Sequence, residues 1–310
     1  MRPVEVGLAG AGPWAANFHA PVLAQGPETR LAGVWARRAA AGEELAARFG
    51  VPFYADYAEL VERSEAVAFA LPPDVQAGLA TAAARAGRAL LLDKPIALDL
   101  AAAEELAAAV AAAGVVTQLV MTNRYRPAVR AFLDRARGMR VLGARACVVN
   151  GEFVAGPFLD SPWRMRLGVL YNNAPHTLDL IDAALGPITG LDAAGDRDGF
   201  LALTCRHEGG AVSQLSLCGH VPGLGKRTVF ELYGPDGELT LDFAAVPPDS
   251  APTRAALRAE FAAAVRSGRP HSIDVRRGLH LQRLIARAEA AVQQAAQETA
   301  QQAAQEAVIR

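Results

Sequence analysis

One lysine in this chain stands where a side chain could handle a proton. Lys94 follows the apolar residues 90–92 and Asp93, and Pro95 ends the strand that this apolar run predicts. Open α/β sheets carry their chemistry at the carboxyl ends of strands, and an ammonium group, unlike a guanidinium, can change its protonation state when desolvated. Lys94 and Lys226 are the only lysines beside many arginines. Lys94 is therefore a candidate proton donor, and an ordinary strand-end residue is the alternative.

A histidine is the second candidate for proton chemistry. The apolar pattern predicts a helix over residues 170–185, on which Asn172 and His176, four residues apart, share one face. Proline is best tolerated in the first turn of a helix, so Pro175 places Asn172 just before or at the helix start and His176 near the N-terminus. The helix dipole there disfavours a protonated imidazole. The alternative is a histidine that is simply packed into the structure.

A glycine-rich turn near the N-terminus predicts a phosphate-binding site. Val4–Ala9 has the composition of a buried strand, and the next six residues have the pattern G-x-G-x-x-A before a helical segment. The first glycine permits a tight turn, the second lets the backbone approach a pyrophosphate, and the alanine keeps the helix close to the sheet, while free N–H groups at the helix start bind phosphate. The residues expected to bind a dinucleotide here are Gly10, Gly12, Pro13, Trp14 and Ala15.

The end of the second predicted strand, residues 31–36, bears on which dinucleotide is bound. An acid usually stands there to bind the ribose hydroxyls, whereas this chain has Ala36 followed by Arg37 and Arg38. Guanidinium groups match phosphate oxygens, so the pattern favours a 2′-phosphate and hence NADP(H) over NAD(H). The alternative is that both arginines are solvated charges at the start of the helix predicted over residues 39–49.

Strands and helices alternate through the first 121 residues, which is typical of a parallel, doubly wound sheet. Leu71, Pro72 and Pro73 follow one predicted strand, at the sheet edge where Lys94 follows another. We expect them to shape the pocket for a nicotinamide ring, because proline has no N–H to donate. The remaining predicted elements are strands over residues 66–71, 89–92 and 115–121 and helices over residues 57–63, 75–86 and 100–113.

The second half of the chain predicts an open, mainly antiparallel sheet. Glycine-rich turns at residues 208–210 and 234–237 join strand-like runs as hairpins. The predicted strands cover residues 141–153, 201–206, 211–217, 227–233 and 238–243, and the predicted helices cover residues 128–137, a segment capped by Thr253 that ends at Gly268, and residues 275–291. The sequence thus predicts a Rossmann domain over residues 1–121, a substrate-binding α/β domain over residues 122–292 and a Gln/Ala-rich helical tail over residues 293–310.

The charge balance and the cysteine content of the chain exclude some classes of partner. Lys and Arg number 31 against 32 Asp and Glu, a formal net charge of -1, which argues against nucleic acid or an anionic membrane surface as the main partner. The three cysteines form no C-x-x-C pair and the histidines have no metal-ligand spacing, so we expect no metal site and a reducing, cytoplasmic location. A small neutral ligand fits this composition best.

Four motifs taken together resemble the glucose-fructose oxidoreductase, inositol dehydrogenase and rhizopine catabolism family (Gfo/Idh/MocA). They are Gly-Leu-Ala-Gly-Ala-Gly at residues 7–12, Leu-Pro-Pro-Asp at 71–74, Asp-Lys-Pro at 93–95 and Ala-Pro-His-Thr-Leu-Asp at 174–179. The resemblance implies an N-terminal Rossmann domain and an α/β domain whose open sheet carries the substrate face and often a homo-oligomer interface. It also implies hydride transfer between a nicotinamide and a hydroxyl or keto carbon of a sugar or polyol.

The resemblance also assigns catalytic positions, with one departure. In the family the strand-end motif is usually Glu-Lys-Pro, whose lysine hydrogen-bonds the reacting oxygen; Lys94 matches it, with Asp93 in place of the glutamate. The second motif is usually an aspartate, three residues and a histidine; His176 matches the histidine, and Asn172 replaces the aspartate. An amide cannot take a proton as a carboxylate can, although it can orient a hydroxyl group.

The expected function is therefore an NADP-dependent oxidoreductase of sugars, polyols or keto-sugars, with Lys94, His176 and Asn172 as catalytic residues. Weaker candidates for substrate contact are Arg126, Tyr171 and Trp163, of which Trp163 lies in a predicted loop over residues 160–164 and could stack on a sugar face or be packed. Asn172 supports an alternative, a non-catalytic regulatory protein that binds a dinucleotide or sugar. Redox-assisted cleavage of a glycoside is a third possibility.

Overall fold

A computed structural model describes residues 2–155, 159, 161–196, 198–247 and 250–309. The chain forms two compact units, each assembled from two stretches of sequence. The first unit contains residues 1–126 and 249–282, and the second contains residues 127–248 and 283–310.

A five-stranded, all-parallel sheet forms the centre of the first unit. Its strand order is β2-β1-β3-β4-β5, and every neighbouring pair is parallel. The strands are β1 (Val4–Ala9), β2 (Thr29–Trp35), β3 (Ala66–Phe69), β4 (Ala89–Leu92) and β5 (Thr117–Leu119). Strands β3 and β4 are buried at every residue, as expected of a parallel sheet covered on both faces. The predicted doubly wound parallel sheet is confirmed.

The helices of the first unit connect these strands. They are a π-helical turn (Ala15–His19) continued by α1 (Ala20–Ala24), then α2 (Ala39–Phe49), α3 (Tyr57–Glu62), α4 (Pro73–Arg85), α5 (Leu100–Ala113) and a 3-10 turn (Thr122–Tyr125). Helix α4 begins two residues earlier than predicted, with Pro72 at its N-cap. Proline suits the first helical position because its fixed φ is already helical and its missing N–H would have no partner there.

A six-stranded sheet forms the centre of the second unit. Its strands are β6 (Gly143–Val149), β7 (Ile188–Gly195), β8 (Phe200–His207), β9 (Val212–Cys218), β10 (Arg227–Gly234) and β11 (Gly237–Asp242), in the order β11-β10-β6-β9-β8-β7. Only the pairing of β6 with β9 is parallel, so the predicted mainly antiparallel sheet is confirmed. The sequence analysis missed β7, whose glycine and alanine residues have low strand propensity.

One face of this second sheet carries the core, and the other is open. Buried residues alternate with exposed ones along β8 and β9. Three further helices belong to this unit, α6 (Pro127–Arg137), α7 (Pro162–Asn172) and α8 (Ala174–Leu185), and α8 packs against β6 and β9. The large side chains exposed along the strands include those of Phe200, Val212 and Tyr233.

Helices α7 and α8 replace the single helix that was predicted over residues 170–185. Helix α7 ends at Asn172, and Asn173 separates it from α8. Pro175 has no N–H to donate to the carbonyl four residues before it, so the helical hydrogen bonds cannot run through this point. Asn172 therefore ends one helix, and His176 lies in the first turn of the next. Asn173, between them, keeps helical backbone angles, with φ of -103° and ψ of -39°. The predicted positions of Asn172 just before the helix start and of His176 near its N-terminus are confirmed.

The last two helices are α9 (Ala251–Ser267) and α10 (Val275–Ile309). Ser250, not Thr253 as predicted, caps α9, since its side chain accepts from the Thr253 N–H. Helix α9 belongs to the first unit. Gln118 of β5 contacts it there, since Gln118 Nε2 donates to the Leu257 carbonyl at 2.9 Å. No helix in the described part of the chain combines the length and apolar character needed to cross a membrane.

Candidate active site

The turn after β1 has the shape that the phosphates of a dinucleotide require. Gly10 has a φ of +125°, and a Cβ there would lie 2.4 Å from the carbonyl oxygen of Ala70. A Cβ at Gly12 would instead meet no atom of the described residues within 4 Å. Packing of the protein thus requires glycine at position 10 but not at position 12. The open space at Gly12 fits the close approach of a pyrophosphate to the backbone.

The helix after this turn contains a π-helical segment. Ala15 is fully buried, and the rings of Trp14 and Phe18 stack with centroids 4.4 Å apart and an angle of 2° between their planes. Pro13 lies at the start of the helix. Segments of π-helix are rare and often occur at functional sites. The residues of the predicted glycine motif therefore lie together at the carboxyl edge of the parallel sheet.

The carboxyl end of β2 lies beside that of β1, because the two strands are parallel neighbours. Ala36 follows the strand, and the side chains of Arg37 and Arg38 are exposed to solvent. Neither arginine forms an ion pair with another residue in the described ranges. Two cations and no acid therefore follow β2.

Two further turns meet the same sheet edge, since β3 and β4 are also parallel neighbours. Leu71 and Pro72 follow β3 and are half-buried, whereas Pro73 is buried in the first turn of α4. Asp93 and Lys94 follow β4. The structure thus brings the predicted nicotinamide-pocket residues and the predicted catalytic lysine to one edge of one sheet.

Gln76 holds the backbone on both sides of Lys94. This glutamine lies on α4 and is completely buried. Its Oε1 accepts from the Asp93 N–H at 2.9 Å, and its Nε2 donates to the carbonyls of Asp93, Pro95 and Ile96 at 2.9, 3.2 and 3.3 Å. Lys94 is half-buried and Pro95 after it is buried, in contrast to the exposed Lys226. Gln76 therefore helps to fix the turn that presents the lysine.

Asp93 fixes the same turn from its own side chain. Its Oδ1 accepts from the Lys94 N–H at 2.8 Å, and its Oδ2 lies 3.6 Å from Nε2 of the buried His19. His19 is the last residue of the π-helical segment. The carboxylate that replaces the glutamate of the related motif therefore links the lysine turn to the helix after the glycine turn.

In the second unit, Asn172 lies between two charged side chains. Arg164 Nη1 donates to Asn172 Oδ1 at 2.9 Å, and Asn172 Nδ2 donates to Glu152 Oε1 at 2.8 Å. His176 is half-buried, although the residues on either side of it in α8 are buried. A partly exposed imidazole is suited to proton exchange with a ligand.

The weaker substrate candidates have other contacts. Trp163 lies in the first turn of α7, so the loop predicted over residues 160–164 is wrong from Pro162 onward, and Asp160 lies outside the described residues. The guanidinium carbon of Arg164 lies 4.8 Å from the centre of the Trp163 ring. Tyr171 is buried, and its hydroxyl donates to Glu289 at 2.9 Å. Arg126 is half-buried directly after the 3-10 turn.

Sequence reasoning did not find Gln76, His19 or Glu152. Their partners are 17, 74 and 20 residues away in the chain, so no local pattern marks them. A weak signal existed for Gln76, a polar residue on the buried, alanine-rich face of α4. The described residues contain no group of three His, Cys, Asp or Glu side chains arranged to hold a metal ion.

The first unit matches a known family of proteins. Residues 4–121 match the model of Gfo/Idh/MocA, described as an oxidoreductase family with an NAD-binding Rossmann fold. An uncharacterized protein of Saccharomyces cerevisiae is 23% identical over 261 residues, which cover 78% of this chain and 75% of the yeast protein.

Several solved structures share the fold of the whole chain. UDP-N-acetylglucosamine 3-dehydrogenase GnnA from Acidithiobacillus ferrooxidans has a TM-score of 0.82 at 22% identity, covering 94% of this chain and 98% of that one. Levoglucosan dehydrogenase in complex with NADH and L-sorbose has a TM-score of 0.82 at 18% identity, covering 95% and 98%. GenD2 from gentamicin A biosynthesis in complex with NAD has a TM-score of 0.81 at 22% identity, covering 94% of each chain. Similarity at this level of identity establishes the fold.

Proposed function

We propose that this chain, whose residues 4–121 match the model of the Gfo/Idh/MocA family of oxidoreductases with an NAD-binding Rossmann fold, transfers a hydride to or from a carbon of a sugar, polyol or keto-sugar. The observation that carries the proposal is the edge of the parallel sheet. There a glycine turn open at Gly12 lies on the same edge as the fixed turn of Lys94. The dehydrogenases of similar fold that act on sugar derivatives support the substrate class.

The proposed chemistry divides between cofactor and protein. When bound, the nicotinamide supplies or accepts the hydride at the reacting carbon. Lys94 donates a hydrogen bond to the reacting oxygen, and His176 gives that oxygen a proton during reduction or removes it during oxidation. Asn172 orients a neighbouring hydroxyl. Arg126, Tyr171 and Trp163 remain weaker candidates, because the hydroxyl of Tyr171 and the ring of Trp163 already have protein partners.

We assign NADP(H) as the favoured cofactor, with NAD(H) as the alternative. The assignment is based on Ala36 at the end of β2 and on the exposed, unpaired charges of Arg37 and Arg38 among the described residues. Guanidinium groups bind phosphate in a bidentate manner, and no acid follows β2 to repel a 2′-phosphate. Two of the structures of similar fold contain NAD or NADH, which makes the cofactor the first property to measure.

Two broader properties complete the proposal. The open face of the second sheet, which exposes Phe200, Val212 and Tyr233, supports a homo-oligomer formed through that sheet. The three cysteines, Cys147, Cys205 and Cys218, are free thiols, which supports a cytoplasmic location.

A screen of sugars, polyols and keto-sugars with NADPH and with NADH tests the function, with nicotinamide absorbance as the signal. We expect turnover with at least one compound and tighter binding of NADPH. Lys94→Ala should lower turnover by about 100-fold or more while cofactor binding is kept, because a positioned proton donor contributes about that factor. Lys226→Ala, which changes the exposed lysine, is the matched control.

Each part of the proposal has its own contrary result. Tighter binding of NADH would overturn the NADP assignment. Full turnover by Lys94→Ala would remove the lysine from the mechanism. Dinucleotide binding without turnover of any compound would favour the alternative, a regulatory protein that binds a dinucleotide or sugar. Asn172, in place of a carboxylate, is the observation that favours this alternative.

A further inference from the structure

Asn172 joins a cation to an anion within the second unit. Its amide oxygen accepts from Arg164 at 2.9 Å, and its amide nitrogen donates to Glu152 at 2.8 Å. Because an amide can donate only from nitrogen and accept only at oxygen, these two partners fix its orientation. A carboxylate therefore lies one hydrogen bond away from the position at which the related motif carries an aspartate.

The turn that carries Glu152 is itself held firmly. The Glu152 N–H donates to Asn150 Oδ1 at 3.0 Å, and Asn150 is buried. The Asn150 N–H donates to the Cys218 carbonyl at 2.9 Å, and the Asn150 carbonyl accepts from the Val221 N–H at 3.1 Å. These bonds attach the turn after β6 to the end of β9, which is the parallel neighbour of β6. The Glu152 carboxylate is thus presented by fixed backbone.

We propose that Glu152 supplies the carboxylate missing at position 172 and binds a hydroxyl group of a polyhydroxylated substrate. This inference rests on the proposed function. One oxygen, Oε1, is occupied by Asn172, and within the described ranges no residue donates a hydrogen bond to Oε2. A hydroxyl that donates to a carboxylate forms a charge-assisted hydrogen bond, about twice as strong as a neutral one.

The charge of Glu152 points to a neutral substrate. Asn172 links Glu152 to Arg164, which also lies against the ring of Trp163. A neutral polyol can donate to the carboxylate, whereas an anionic ligand would be repelled by Glu152. Glu152 is therefore a residue that selects neutral, hydroxyl-rich substrates.

A carboxylate exchange tests the assignment. Glu152→Gln keeps the size of the side chain and an oxygen that can accept from Asn172, so the fold is kept, as a thermal melt would verify. We expect kcat/KM for the best polyol or sugar to fall about 10- to 100-fold, the usual worth of a hydrogen bond to a charged group, with unchanged cofactor binding. The double variant Glu152→Gln with Asn172→Asp places the carboxylate at the other end of the same hydrogen bond. It should recover most of the lost kcat/KM. Glu208→Gln, in an exposed turn, is the control.

The outcomes separate the inference from the function on which it rests. Wild-type kcat/KM in Glu152→Gln, or a loss that the double variant does not restore, would overturn the role of Glu152 while the function stands. If the unchanged protein shows no nicotinamide turnover, the function fails, and calorimetry with the same polyols still tests the carboxylate. Equal affinity of the wild type and Glu152→Gln, or no polyol binding by either, would then overturn the inference.

Discussion

Two glycines of one turn show how differently single residues can depend on being glycine. Gly10 has a backbone conformation that other residues rarely adopt, and its neighbour Ala70 leaves no room for a Cβ. Gly12 has neither constraint. One glycine is thus needed by the fold, and the other by a ligand that approaches the backbone.

This difference predicts a matched pair of substitutions. Gly10→Ala should lower the free energy of unfolding by about 2 kcal/mol or more, because it adds backbone strain and a clash with a carbonyl. Gly12→Ala should change stability by less than about 0.5 kcal/mol, since its Cβ enters open space. It should weaken dinucleotide binding about 10-fold or more, which corresponds to about 1.4 kcal/mol, because the Cβ would occupy space that a pyrophosphate needs. Urea unfolding and cofactor titration of both variants measure these effects. Equal cofactor affinity in Gly12→Ala and the wild type would argue against a pyrophosphate at this turn.

At this scale the sequence predicted positions better than partners. Lys94 was placed at a strand end and His176 at a helix start from nearby glycines, prolines and apolar runs, and both placements are confirmed. Gln76 and Glu152 were not found, because their importance lies in contacts with residues far away in the chain. Long-range hydrogen bonds leave no periodic signal in a single sequence.

At the scale of elements, a helix and a turn are joined by one buried glutamine. The side-chain amide of Gln76, on α4, forms hydrogen bonds with four backbone groups in the turn around Lys94. The glutamine therefore acts as a positioning residue for the lysine. Its effect on catalysis should pass through the geometry of the turn.

Substitution of Gln76 tests this link between α4 and the turn. Gln76→Leu should lower the free energy of unfolding by about 2–4 kcal/mol, because buried backbone groups lose their partners. It should also lower kcat more than it raises KM, since Lys94 would be misplaced. Gln76→Glu keeps the acceptor for the Asp93 N–H and should retain more activity than Gln76→Leu. Urea unfolding and steady-state kinetics measure both variants.

Gln282 offers a control for that experiment. It is also a buried glutamine, but the hydrogen bond from its Nε2 to the Leu98 carbonyl is long, at 3.5 Å. Gln282→Leu should therefore lower the free energy of unfolding by less than Gln76→Leu does. It should not lower kcat more than it raises KM. A similar cost for the two variants would show that Gln76 is no more than a packed side chain.

Elements with local signals were predicted well, and those set by tertiary structure were not. Helices α2 and α5 have the predicted bounds because apolar periodicity and a following glycine mark them. The start of α8 was located from Pro175, which is tolerated only in the first turn of a helix. Strand β7 was missed because pairing with β8, not residue propensity, holds it in the sheet.

At the scale of the whole molecule, ion pairs bind distant stretches of the first unit together. Arg266 of α9 donates to Glu65 at 2.9 Å and to the Pro3 carbonyl at 2.7 Å, and Arg2 donates to Glu65 at 2.8 Å. The hydrogen bond from Arg266 is the main cause that holds the pKa of Glu65 below its usual value, and the charge of Arg2 adds to it. Hydrogen bonds thus join α9 to the N-terminal residues of the same unit.

This pairing predicts a dependence of stability on pH. A carboxylate whose pKa is lowered by folding adds stability above its unfolded pKa, about 4.3, and the contribution is lost as the pH falls through the lower folded value. Glu65→Gln should therefore cost up to about 1 kcal/mol near neutral pH, given the partial exposure of the pair, and nothing in strong acid. Urea unfolding at a series of pH values measures the difference, with the exposed Glu43→Gln as control. A difference that persists in strong acid would contradict the ionic origin.

The sequence predicted both sheets and their main strand directions. Helices between strands indicate parallel strands, and tight turns between strands indicate antiparallel ones. The sequence did not predict that α9 belongs to the first unit. The place of α9 there depends on contacts such as the Gln118 bond to the Leu257 carbonyl, which joins residues 139 positions apart. Such contacts depend on which side chains the folded chain brings together, so a single sequence does not reveal them.

The contrast between the two lysines makes chemical labelling of the proposed site practical. Lys226 is exposed and Lys94 is half-buried at the edge of the parallel sheet. A chain with Lys226→Arg would keep a single side-chain amine. An amine-specific reagent would then report, by intact mass, the reactivity of Lys94 apart from that of the terminal amine, and protection by a dinucleotide or sugar could be followed directly at the residue that the proposed chemistry needs.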